Sequence, residues 1–521
     1  MGFYSELTPR LALVSFLGSL GALSFGYDNG WWGIILGAPY FNDQFGHTVT
    51  TGPDGSTKIS LSSTEQSCGS GLGTAGIMLG CMIAPYINNR WGRKMSFMVL
   101  AIIGIVGALV QSLSTIGRQI WVLIVGKVIL NMSVGIASAT VGVYLSECAP
   151  SSLRGVLMSN YNIVQNVGYV VAAATVFGVV LKTSIINWML PIGLQFVLPI
   201  AILVSGPFLP ESPRWLVSKG RIDEAVKVLR SLRVALPGED LEAKVWAEVE
   251  EIKAAFEEMK ALHEGVGVLE LFRGANLRRT AIAVGLQCLQ QAQGVGFVAN
   301  YTTVLLLSLG ISNVYVIVLV LYVVLLVTSL GAFYLPDKLG RRTLLLVGSA
   351  SGAVWMGIIG AVSTVYKTPT GGAANLLVAS LFLWISFFSN TWSPMPWTVA
   401  AEISSGPLRE MTLALASFSG FGVGLIVTFV SPFIQETAGL GGKIAFIWMG
   451  FSVVSGVYAF FLVPELKGRS LEELDYMFEA RIPTRKFNKF DSAVMMEEKR
   501  REHVKAEFEE EKQETELVEK V

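Results

Sequence analysis

Twelve apolar stretches dominate the chain, six before and six after a polar segment at residues 210–278. Windowed hydropathy places the first six near 11–37, 67–87, 97–116, 120–143, 158–181 and 188–209. The second six fall near 279–307, 313–335, 343–365, 373–400, 411–436 and 443–463. Each approaches the roughly 20 apolar residues that a helix needs to cross a bilayer. Lipid offers no partner to a backbone N–H or C=O, so such runs must close their hydrogen bonds internally, as helices do. The expected fold is an all-α membrane protein, with 12 transmembrane helices in two pseudo-symmetric six-helix bundles. Residues 1–209 and 279–463 form the bundles, 210–278 a cytoplasmic helical loop, and 464–521 a cytoplasmic charged tail.

Only 15% of the residues are charged and 52% are hydrophobic, whereas about a quarter of a soluble protein is charged. Zero net charge gives no basic footprint for nucleic acid. Cys68, Cys81, Cys148 and Cys288 form no CxxC, and His47, His263 and His503 are far apart. No metal or cofactor is therefore expected. The first apolar run has no cleavage site after a short core, so it reads as a retained span rather than a signal peptide.

Lys and Arg in short loops set the orientation. Arg90, Arg93, Lys94, Arg154, Lys338, Arg341, Arg342 and Arg409 all fall on one side, together with both termini. The opposite loop, 38–66, carries Asp43, Asp54, Glu65 and Lys58. Both termini should face the cytoplasm. Residues 221–233 and 240–262 of the central segment, and the tail from Glu497, show helical periodicity with interleaved charges and read as solvated helices.

The two halves repeat one another. Asn89-Arg90-Trp91-Gly92-Arg93-Lys94 matches Asp337-Lys338-Leu339-Gly340-Arg341-Arg342. Pro210-Glu211-Ser212-Pro213-Arg214 matches Pro464-Glu465-Leu466-Lys467-Gly468-Arg469, and Glu147…Arg154 matches Glu402…Arg409. Charged pairs at equivalent ends of two halves point to a duplicated transporter. Arg93, Glu147, Arg154, Glu211 and Arg214 should form one network, mirrored by Asp337, Arg341, Arg342, Glu402, Arg409 and Glu465. Such networks would gate the inner ends of the halves.

With FGYDNG (25–30), YLSECAPSSLRG (144–155), PESPRWL (210–216), QQAQGVG (290–296) and PMPWTVAAEISSGPLR (394–409) added, the chain resembles the sugar porter family of the major facilitator superfamily, fungal branch. The resemblance implies a rocker-switch bundle with one central site shared by the halves. It places Gln290, Gln291 and Trp397 in a sugar pocket, with Asn162 at the position of the usual helix 5 glutamine. The chain departs from the family pattern at Asn89, Asn162, Gly296, Gly420-Phe421 and Leu466. Several of these departures fall in the pocket, so the substrate is left open.

The residues themselves support a polar interior. Asn162, Gln165, Asn166 and Tyr169 share one helical face, as do Gln287, Gln290, Gln291 and Gly294, with Tyr301 two turns on. Ser386, Ser389, Asn390, Ser393 and Trp397 form a third stripe. Amides both donate and accept, as a sugar hydroxyl requires. Asn162, Gln165, Gln287, Gln290, Gln291, Asn300, Tyr301 and Trp397 are the candidate sugar contacts. For Gln165, Asn300, Tyr301, Asn390 and Trp392, hydrogen bonding between helices is an equal alternative.

Asp28 lies inside the first span, where a charge costs about 2.5–3.5 kcal/mol. Lys127 in the fourth span is its candidate partner, at a position where the family usually has arginine. A pair that forms when Asp28 is ionised and opens on protonation would couple proton and sugar movement. Gly71–Gly76 fits GxGxxG but lies in an apolar helix, so close helix packing, as at Gly76 and Gly80, is the better reading. The sequons at Asn131 and Asn300 fall inside spans, and Ser404, Ser405 and His263 form no triad.

The sequence therefore reads as a plasma-membrane monosaccharide carrier, with hexose the default substrate, a proton as partner and a monomer as the functional unit. A facilitative uniporter, a transporter-like glucose sensor and a carrier of a quinate-like polyol or secondary metabolite are the alternatives.

Overall fold

The computed structural model describes residues 8–51, 57–150, 153–234, 240–263, 267–405, 408–469 and 471–490. Among the described residues, eleven helices are long and apolar enough to span a membrane. The spanning helices are α1 (Pro9–Ile35), α2 (Ser63–Trp91), α3 (Arg93–Ser112), α4 (Ile120–Cys148), α5 (Arg154–Val179) and α6 (Ile186–Leu194 and Val197–Ser205). Next come α7 (Gly274–Gln290, Gln291–Val295 and Gly296–Ser308), α8 (Val314–Ser329) and α9 (Arg341–Val365). The series ends with α10 (Gly372–Asn390 and Met395–Ile403), α11 (Arg409–Pro432) and α12 (Ala445–Leu462). The twelfth spanning element is α7, divided into three short pieces. The chain is a multi-pass membrane protein.

Small residues let the helices approach closely. Where α2 crosses α4, a Cβ at Gly80 would lie 2.1 Å from the Met132 carbonyl oxygen, and one at Gly135 would lie 2.1 Å from that of Ile77. The glycines of the GxGxxG stretch also act as packing surfaces: Gly73 faces Asn131 and the Lys127 stem, and Gly76 faces the Val128 carbonyl.

Three spans are broken, each for a local reason. In α6, Pro199 has no N–H for the carbonyl of Gln195, and the helix kinks there. In α7 the break is Gly294, with φ at 90° and the indole of Trp448 lying where a side chain would stand. In α10, Pro394 and Pro396 withhold two N–H groups. Pro396 frees the Trp392 carbonyl, which accepts from Gln290 Nε2 at 2.7 Å, and the neighbouring Ser393 carbonyl accepts from the same nitrogen at 2.8 Å.

The repeated charged loops fold into matching clamps at the end of the bundle where α1 begins and α12 ends. Gly92 and Gly340 have φ near 90° and offer no side-chain cap to the helices they begin. Glu211 caps α3 instead, accepting from the N–H of Arg93 at 2.8 Å, and Glu465 caps α9 through the N–H of Arg341 at 2.8 Å. Any Cβ at either glycine would collide with the capping carboxylate. Burial pushes the Glu211 carboxyl up, against the pull of the N–H groups of Ser212, Lys94 and Arg93. Arg93 pairs with Glu147 at 2.7 Å, and Arg341 with Glu402 at 2.9 Å. These clamps close within each half.

The expected network is smaller than the sequence suggests. Arg342 donates to the Phe460 carbonyl rather than to a carboxylate, and Arg214 is exposed. Asp337 reaches Arg341 at 3.3 Å from a largely solvated position. The Nε of Arg409 is buried without a protein partner. The Arg154 side chain, Asp54, His503 and the tail from Glu497 lie outside the described residues.

Two further expectations change. The central segment is not a set of solvated helices. Ile222–Leu232 and Leu241–His263 pack through Leu229, Val245 and Val249, all fully buried. Arg233 joins them to the end of α4, donating to the Cys148 carbonyl at 2.8 Å and pairing with Glu248. The start of the tail is also docked. Leu471–Glu479 and Thr484–Lys489 seat Met477, Phe478 and Phe487 against the second bundle, and Arg278 and Arg279 of α7 bond to Ile482, Thr484 and Asp475. Opposite the clamps, the loop after α1 forms a helix, Pro39–Phe45, and a hairpin, Thr48–Thr51 with Thr57–Ser60, the one exception to an all-helical chain among the described residues.

Candidate functional site

Asp28 is 1% exposed, inside the first bundle. Its Oδ2 lies 2.8 Å from Lys127 Nζ. Its Oδ1 accepts from Gln195 Nε2 at 2.9 Å and from Trp31 Nε1 at 3.3 Å. The Lys127 ammonium lies 5.7 and 5.4 Å from the ring centres of Trp31 and Trp32, within cation–π range. These contacts explain how a charge pair persists in an apolar bundle: the carboxylate has three donors, and the ammonium has two indole faces besides its counter-ion. The Asp28 carboxylate faces α4 and α6 of its own half.

The candidate sugar contacts divide into two groups. Asn162 is exposed on α5, Gln165 and Gln291 are half-buried, and Trp397 is 43% exposed on the α10 face that carries Ser393. These side chains have surface to offer. The others are largely occupied or enclosed. Gln290 uses its amide nitrogen on the broken α10, leaving an oxygen that Gln291 Nε2 approaches at 3.4 Å. Gln287 is buried against Gly420, and its Nε2 has no protein partner. Asn300 bonds back to the Gly296 carbonyl at 2.9 Å. Tyr301 is buried, its hydroxyl donating to the carbonyls of Thr428 at 3.0 Å and Gln66 at 3.4 Å. Helix bonding therefore describes Asn300 and Tyr301 in this conformation. Asn390 likewise bonds to the Ser386 carbonyl, and Trp392 to that of Leu345.

Among the described residues, hydrogen bonds between the halves cluster at the end opposite the start of α1. Glu436, just beyond α11, accepts from Ser63 Oγ at 2.9 Å and Gln66 Nε2 at 3.0 Å on the first turns of α2. Tyr315 donates to the Gly37 carbonyl at 2.7 Å, and Tyr169 stacks on Tyr322 with ring centres 5.2 Å apart. The bundle is closed at this end. Sequence reasoning missed both Glu436 and Gln195. Gln195 carried a signal, as the one amide within the apolar run MLPIGLQFVLPIAIL. Glu436 carried none, because its partners are 373 and 370 residues away.

Relatives give this geometry its context. The chain is 32% identical over 478 residues to the high glucose sensor RGT2 of Saccharomyces cerevisiae, covering 89% of this chain and 60% of the sensor's length. It is 29% identical over 479 residues to the hexose transporter HXT10 of the same yeast, covering 89% of this chain and 84% of that one. Among solved structures it resembles the inward open conformation of the xylose transporter XylE from E. coli, with a TM-score of 0.72, 22% identity and coverage of 90% and 99%. The same protein, a proton:xylose symporter bound to 6-bromo-6-deoxy-D-glucose, gives 0.70 at 22%, again covering 90% and 99%. These structures share the major facilitator fold. The model of the sugar (and other) transporter family matches residues 14–478, and with two matching six-helix halves behind that match the chain belongs to this family of transporters.

Proposed function

We propose that the chain carries a monosaccharide, with a hexose first among candidates, across the plasma membrane by alternating access, in symport with a proton taken up by Asp28. The observation that carries the reading is the Asp28 cluster: a carboxylate enclosed in an apolar bundle, held by one ammonium and two neutral donors. A group so placed exchanges a proton for an ion pair, and conformations that break the pair favour the protonated form. The named activities of the yeast relatives and of XylE support a sugar as cargo and a proton as its partner. Arginines and lysines at the terminal end support a cytoplasmic location for both termini. On that orientation the closed end is extracellular and this conformation faces inward, with Asn162, Gln165, Gln291 and Trp397 available to the solute. Arg93, Glu147, Arg341 and Glu402, with their capping acids, mark the surfaces that meet when the site turns outward.

The test is expression in a yeast lacking its hexose transporters, with uptake of a panel of labelled sugars at two pH values. Sugar uptake that is stronger at acidic pH is expected, and no uptake of any monosaccharide would contradict the reading. A facilitator is the second reading, because the same contacts can hold Asp28 permanently ionised; it predicts equal uptake at both pH values.

The Glu436 latch gives a further expectation. Glu436→Ala removes both bonds to α2, and with the carboxylate partly solvated the inward population should fall about tenfold against the outward one. Labelling of a cysteine introduced at Ser67, buried one turn below Ser63, from the extracellular side should then accelerate. An unchanged labelling rate would remove Glu436 from the gate.

A further inference from the structure

Gln195 sits at the kink of α6, between Ile186–Leu194 and Val197–Ser205. It is 3% exposed, and its two amide atoms have different fates. Nε2 donates to Asp28 Oδ1 at 2.9 Å, while Oε1 is buried without a protein partner. The residue lines a small, mostly apolar cavity of about 20 Å³, whose polar lining besides Gln195 is Ser24, Tyr27, Asp28 and Ser133. That is room for about one water.

The arrangement has a chemical consequence. An ionised carboxylate only accepts hydrogen bonds, and a protonated one must also donate. Lys127 and Trp31 have donors alone, so neither can receive a proton from Asp28. Tyr27 donates to the Pro191 carbonyl at 3.0 Å. Lys127 on α4 pairs with Asp28, and the neutral phenols of Tyr27 on α1 and Tyr169 on α5 lie close enough for the Asp28 charge to act on them. Of the side chains touching the carboxyl, Gln195 alone carries both a donor and an acceptor. Rotation of its amide through half a turn points Oε1 at the acid.

We propose that Gln195 is a positioning residue that serves Asp28 in both protonation states, donating to the carboxylate and, after the amide turns, accepting from the acid. The proton itself goes to an Asp28 carboxyl oxygen, Lys127 keeps its own, and no bond to Gln195 forms or breaks except hydrogen bonds. This rests on the symport reading, in which Asp28 cycles a proton.

The two bonds differ in strength. A bond to a charged acceptor is roughly twice as strong as one between neutral groups. Losing the amide therefore penalises the ionised form more than the protonated form. Infrared titration of the purified full chain reads this directly, because native minus Asp28→Asn spectra isolate the Asp28 carboxyl band. Gln195→Met, similar in volume, is expected to move the midpoint of that band alkaline by about one pH unit. The carbonyl stretch should also rise in frequency. Gln195→Asn, too short to reach, should shift it the same way and covers the case in which the methionine variant does not fold. A purely structural role would lower stability and leave midpoint and frequency unchanged, which would overturn the proposal while the symport reading stands. If Asp28→Asn removes no titrating band, Asp28 does not cycle a proton and both fall.

Discussion

Asp28→Asn should abolish accumulation of sugar against a gradient while sugar exchange across a de-energised membrane continues. Asparagine has the shape of the protonated acid and cannot lose a proton. Its one oxygen can accept either from Gln195 and Trp31 or from Lys127, and the ammonium retains the two indole faces and a 3.5 Å contact with the Asp28 main-chain carbonyl. The halves can then still rock with sugar bound. Without a proton to carry, the membrane potential has no charge to act on. One charge crossing 100 mV is worth about 2.3 kcal/mol, or roughly 40-fold accumulation before any pH gradient. That factor should fall to one in cells expressing the variant. Retained accumulation would remove Asp28 from the coupling step.

The largest loss of stability should follow Lys127→Met. Removing one member of a buried pair leaves an uncompensated charge and typically costs about 3–5 kcal/mol. Here the remaining carboxylate keeps only Gln195 and Trp31 of its three donors. The variant should melt well below the native protein in detergent. Lys127→Met combined with Asp28→Asn should recover most of the loss, because the double variant buries no charge. A double variant as unstable as the single one would show that Lys127 acts through its packing on Gly73 and the tryptophans. The comparison is a thermal melt of three purified proteins under one condition.

The overall fold was legible because lipid removes most choices. Twelve long apolar runs have few folding solutions, and the repeated loops announced two equivalent halves. The same economy made Asp28 and Lys127 conspicuous, since a lone charge within a span calls for a partner. The glycines of the GxGxxG stretch were legible as packing residues for a related reason: no strand precedes them. What the sequence withheld were partners set by tertiary distance. Periodicity placed Gln290 on an interior face but did not reveal that the break in α10 would leave carbonyls within its reach. Tyr301 shares that face, and its hydroxyl ties α7 to α2 and α11 instead of facing open space. A polar stripe says that a side chain avoids lipid, and packing then decides between a cavity and a neighbouring helix. The central helices misled for the converse reason. Interleaved charge suggested full solvation, yet Leu229, Val245 and Val249 make a small core of their own.

Proton movement driven by sugar alone is the most direct measure of the account. The purified chain would be reconstituted in vesicles containing a trapped pH indicator, with no membrane potential and no initial pH difference. A sugar found to be taken up by the yeast would then be added outside. Acidification of the vesicle interior that follows sugar entry, and that disappears with Asp28→Asn, is the predicted result. Sugar entry with no change of internal pH would contradict it.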